Sequence, residues 1–119
     1  MQNKFYKTND GGQTLQLINN TNLGYALFYI SKDTGWGAGE FLHQTTDIGS
    51  NFLRYPTDLG NYNYIIQFTD KLHGWIAGTN IYKTLDGGNT IDTHIYTPNF
   101  SALGGDVHFF DASNGYIYE

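Results

Sequence analysis

The chain has 119 residues, a formal net charge of −5, five lysines, one arginine and no cysteine. With no basic stripe to release counterions from phosphate, nucleic-acid binding is excluded, and without thiols there is no disulfide framework, thiolate metal site or thiol nucleophile. Charged residues are 14% of the chain against about 25% in an ordinary soluble domain, so solubility rests on Asn, Thr, Ser and Gln and the fold rests on packing.

In chain order, the first segment, residues 1–18, reads as two strands, "KFYKT" and "TLQLI", around the turn "NDGG". The loop "NNTNLG" leads to Tyr25–Ile30, the longest apolar stretch. It is far shorter than the roughly 20 residues of a membrane helix and reads as a buried strand. A unit over residues 25–55 follows, then the loop "PTDLGNYN". Within residues 64–96 four strands are legible. "YIIQF" is nearly continuous in apolar character, as an inner strand covered on both faces should be. "WIAG" and "IYKT" follow, and the turn "LDGGNT" bends the chain into Ile91–Tyr96. After the loop "TPNFSALGGD", residues 107–119 supply "VHFF" and "GYIYE". No 3.6-residue apolar period occurs, so an all-β chain is expected.

The same turn is written three times: "KTNDGGQTL", "QTTDIGSNF" and "KTLDGGNTI". Its aspartates, Asp10, Asp47 and Asp86, stand 37 and 39 residues apart. The glycine-aromatic pairs at Trp36, Trp75 and Tyr116 keep step at 39 and 41 residues. In each turn the Asp carboxylate accepts backbone N–H groups ahead of it, and the following Gly12, Gly49 or Gly88 supplies a positive φ. Thr14 and Thr90 add a further local bond. The middle copy has Ile48 for Gly and Asn51 for Thr, and its turn is expected to be the weakest.

This pattern, S/T-x-D-x-G-x-T, resembles the Asp-box, or bacterial neuraminidase repeat. The longer run "FTDKLHGWIAG" to "IYKTLDGGNT" is most similar to the photosystem II stability and assembly factor-like propellers. The resemblance implies a β-propeller of four-stranded blades, with the boxes as peripheral turns. Function does not travel with such a fold, and no photosystem role is carried over. Sialidases also carry these boxes, but their chemistry needs an arginine triad that one Arg54 cannot supply. No catalytic residue, metal or cofactor is expected. Each box holds one Asp where a calcium loop needs several oxygen ligands, and His43, His73, His94 and His108 show no metal-ligand spacing.

Residues 1–18 and 107–119 are complementary halves of one blade, and the repeat stays in phase across the termini. The single domain 1–119 is therefore expected to hold three blades' worth of strands, the split one included. Propellers typically close with four to eight blades, which leaves two readings: a homodimer forming a six-bladed ring, which is the one expected, or a piece of a longer single-chain propeller that begins and ends in mid-blade. Binding is sought in loops that break the repeat and in the channel, at Asp58, Tyr62, Tyr64, Phe100, Asp106 and His108, toward a protein or glycan ligand. The low charge density suggests an extracellular or periplasmic parent protein; "MQNKFYKTNDGG" carries no apolar leader.

Overall fold

The computed structural model describes residues 4–20, 22–60, 63, 65–78, 80–92 and 105–118. Among them the regular structure is all β. Strand β1 (Lys4–Lys7) pairs with β2 (Gln16–Asn20). A four-stranded sheet follows, with β3 (Ala26–Tyr29), β4 (Gly35–Ala38), β5 (Phe41–Thr45) and β6 (Leu53–Asp58) in sequential order. The third sheet holds β7 (Ile65–Phe68), β8 (Gly74–Ala77) and β9 (Ile81–Thr84). The fourth is the hairpin of β10 (Asp106–Phe109) and β11 (Gly115–Tyr118). All pairings are antiparallel between chain neighbours, as short turns require.

The predicted unit 25–55 is a complete meander whose last strand runs on to Asp58. In unit 64–96 three of the four expected strands are present and an isolated bridge pairs Lys83 with Asp92; residues 93–96 lie outside the described residues. Among the described residues each terminal segment forms a two-stranded antiparallel sheet.

A cross-strand contact explains why glycine precedes each aromatic. Tyr29, Phe68 and Phe109 lie opposite Gly35, Gly74 and Gly115. A Cβ on those glycines would come within 2.6, 2.4 and 2.5 Å of the facing ring. Only glycine lets the inner-strand ring lie flat across its neighbour. Every residue of β4 and β8 is buried as a result of this layering.

The sheets stack face to face in chain order. Trp36 of the second sheet lies parallel to Phe68 of the third, centroids 3.7 Å apart, inside a core with Leu42, Tyr55, Leu59, Ile66 and Ile76. One sheet on, Trp75 lies parallel to Phe109 at 3.8 Å, beside Ala77, Ile81 and Val107. Phe5 of the first sheet stacks on Tyr29 at 6.1 Å and meets Phe52 edge-on at 5.9 Å. The repeating tryptophans therefore join sheet to sheet, and aromatic pairs of this kind add about 0.5–1.5 kcal/mol beyond the area they bury.

Candidate functional site

All three boxes form the same hydrogen-bonded turn. Asp10 Oδ1 accepts the Thr14 N–H (2.9 Å) and Oδ2 the Thr14 hydroxyl (2.6 Å). Asp86 repeats this with Thr90 at 2.8 and 2.6 Å. At Asp47 the residue is Asn51, whose backbone and side-chain N–H groups both donate at 2.9 Å. The middle turn thus keeps its full set of bonds. Its departure appears in the backbone instead, where Ile48 takes φ +73°, a region that a β-branched residue enters only under strain.

The first Thr of each box does more than the turn residues singled out from sequence. Thr8, Thr45 and Thr84 each donate a hydroxyl to the box aspartate at 2.8, 2.8 and 3.0 Å. Each also accepts the N–H of Gly12, Gly49 or Gly88 at 2.9 Å. The S/T at the head of the pattern was the signal for them.

These bonds favour the ionised carboxylates. Asp10 is held at about 2 by the Thr14 hydroxyl and N–H and the Thr8 hydroxyl. Asp47 is held at about 2 by Asn51 and Thr45. The Thr90 hydroxyl and N–H likewise lower Asp86. A depressed carboxylate stabilises the fold above its ordinary value, 3.8 here, and that contribution is lost as pH falls toward about 2. Side-chain carboxyl NMR titration is expected to show Asp10 and Asp47 with midpoints near 2, accompanied by a melting temperature that drops between pH 4 and 2. Midpoints at ordinary aspartate values would overturn the assigned hydrogen bonds.

A second set of turns, between the first two strands of each unit, is capped by side chains not singled out from sequence. Asp70 Oδ1 accepts the N–H of Leu72 (2.7 Å) and His73 (2.8 Å), and Asp111 Oδ1 accepts those of Ser113 and Asn114 at 2.8 Å each. Ser31 stands in their place, its hydroxyl accepting the Thr34 N–H at 3.2 Å. The available signal was position: Ser31, Asp70 and Asp111 each lie four residues before Gly35, Gly74 and Gly115. The second and third boxes dock on these turns, Ile48 N–H donating to Asp33 O (3.0 Å) and Gly87 N–H to Leu72 O (2.9 Å).

Of the expected ligand residues, Asp58, Asp106 and His108 are exposed. Tyr62, Tyr64 and Phe100 lie outside the described residues. Asp58 ends β6 opposite Phe41 and accepts the Gly60 N–H at 2.7 Å. Asp106 opens β10 opposite Tyr118 and accepts the Val107 N–H at 2.8 Å. The His108 ring meets Phe110 edge-on at 4.8 Å. Gln67, aligned with His108 in the repeat, clamps the next sheet, its amide donating to Phe109 O and accepting from Phe109 N–H, both at 2.7 Å. Buried Asn63 ties its loop down by donating to Gly39 O at 2.6 Å.

His73 faces Asp70 at 2.8 Å. Burial, aided by the Arg54 charge, pushes His43 below its ordinary value. His94 lies outside the described residues. Among the described residues no three His, Asp or Glu side chains gather as a metal site, and no helix is long and apolar enough to cross a membrane. Compared with models of known protein families, with characterised proteins and with solved structures, the chain matches none.

Proposed function

We propose that this chain is a non-catalytic binding or assembly scaffold, an Asp-box β-propeller in which two copies close a six-bladed ring and present loops to a protein or glycan. The observation that carries this reading is how the carboxylates are used. Asp10, Asp33, Asp47, Asp58, Asp70, Asp86, Asp106 and Asp111 all accept hydrogen bonds from their own turn or strand end. Acid-base work on a glycoside needs a carboxylate pair free to face the substrate, whereas these hold loops in shape. Stiff turns on stacked sheets suit presentation, since a preorganised surface loses less entropy on binding.

Light scattering is expected to give twice the 13.4 kDa of one chain, and a panel of fluorogenic glycosides is expected to show no turnover. A glycan array separates a sugar-binding face from a protein-binding one. Turnover that disappears on replacing an aspartate by asparagine would overturn the scaffold reading, and a mass of one chain at high concentration would overturn the ring.

A further inference from the structure

Two of the three boxes sit in a socket. Gly87 is held from both sides, its N–H donating to Leu72 O at 2.9 Å and its carbonyl accepting the Trp36 indole N–H at 3.0 Å. Ile48 is held likewise between Asp33 O and the Tyr29 hydroxyl, 3.0 Å each. Thr45, Gly49, Thr84 and Gly88 are buried. A Cβ on Gly49 would come within 2.3 Å of Phe5, and one on Gly88 within 2.3 Å of Leu42. The first box has the same internal bonds and none of this setting. Thr8, Gly11 and Gly12 are exposed, and a Cβ on either glycine meets nothing within 4 Å.

The matching socket lies in the third and fourth sheets. In the repeat Trp75 stands where Trp36 does, and Ser113 where Asp33 and Leu72 do. The Trp75 side chain is 3% exposed, its indole N–H is not sealed from solvent, and among the described residues that N–H meets no acceptor and the Ser113 carbonyl no donor. Among the described residues, strands β4 and β8 pair on both edges, whereas β11 pairs with β10 alone and β1 with β2 alone. All four residues of β11 are exposed, Tyr116 at 73% and Tyr118 at 70%. An open edge carrying aromatic side chains invites another strand.

Building on the ring reading, we infer that β1 and the first box of one copy dock on β11 and Trp75 of a second copy, in one register. Strand β8 sets Gly74, Trp75, Ile76 and Ala77 against Thr84, Lys83, Tyr82 and Ile81, and β4 pairs with β5 in the same frame. The same frame puts Gly115 opposite Thr8, Tyr116 opposite Lys7, Ile117 opposite Tyr6 and Tyr118 opposite Phe5. Gly11 then donates its N–H to the Ser113 carbonyl and accepts the Trp75 indole N–H. Lys7 comes to Tyr116 as Lys83 comes to Trp75, whose ring centroid lies 5.9 Å from the ammonium. A slip of one residue would turn every β1 side chain to the wrong face.

The chain has no native cysteine, so introduced pairs report the register. Facing residues of antiparallel strands have Cα atoms about 4.5–5.5 Å apart, within disulfide reach. Tyr6→Cys with Ile117→Cys, and separately Lys7→Cys with Tyr116→Cys, are expected to give a covalent dimer under mild oxidation, while the slipped pair Phe5→Cys with Ile117→Cys stays at one chain's mass. A noncovalent dimer that links only through the slipped pair, or equally through all three, overturns this register and leaves the ring reading intact. A monomer that links through none overturns both. In the unmodified protein the Trp75 indole proton is expected to be protected from exchange above the dissociation concentration and to exchange freely below it; equal exchange at both concentrations overturns the Gly11 contact.

Discussion

Trp36→Ala is expected to cost about 3–5 kcal/mol, the range for truncating a large buried aromatic and a large share of the roughly 5–15 kcal/mol that holds a domain together. Trp36 is fully buried and parallel to Phe68 at 3.7 Å. Removing it opens a cavity between the second and third sheets and also leaves the Gly87 carbonyl without its indole donor. A buried acceptor stranded in this way costs about 1–3 kcal/mol by itself. Trp36→Phe separates the two effects, since it keeps a ring against Phe68 and loses the bond, and it is expected to fall between alanine and wild type. Urea denaturation measures both. A loss below about 1 kcal/mol for alanine, the typical cost of an ordinary substitution, would mean that the sheets are not joined through this ring.

What the sequence made legible follows from the range of the forces involved. A box turn is closed by bonds spanning two to four residues, such as Thr8 to Gly12 and Asp10 to Thr14, so its residue types betray it wherever it occurs. The glycine before each of Trp36, Trp75 and Tyr116 was legible for a similar reason, since it lies beneath its cross-strand aromatic, and of the three rings Trp36 and Trp75 go on to stack on the next sheet. The Gln67 clamp spans 42 positions and depends on where one sheet settles on the next, which no local pattern encodes. Asn51 looked like a defect because composition hides that its amide reaches Asp47 as the Thr90 hydroxyl reaches Asp86. For the candidate ligand residues, loops that break the repeat leave no periodic frame from which to place a side chain. Asp58 and Asp106 accordingly emerge as strand-end caps on separate sheets, both exposed.

The second large effect is expected from Gly88→Ala set against Gly12→Ala, two substitutions with the same chemistry and different surroundings. Both glycines have positive φ, +106° and +96°, and a Cβ there costs about 1–2 kcal/mol in backbone strain. For Gly12 in a single copy the cost ends there, because nothing lies within 4 Å. For Gly88 the new methyl falls 2.3 Å from Leu42 Cδ2 and 3.2 Å from the Tyr55 ring, so one side chain or the box must move. Overpacking of this kind adds about 1–3 kcal/mol, which puts Gly88→Ala well above Gly12→Ala in urea denaturation. Leu42→Ala tests the cause directly. It destabilises the parent by leaving a cavity, yet combined with Gly88→Ala it gives the methyl somewhere to go, and the double variant is expected to lose less than the sum of the two single losses. Strict additivity would place the whole cost in the backbone of the turn and remove Leu42 as the surface on which the third box rests.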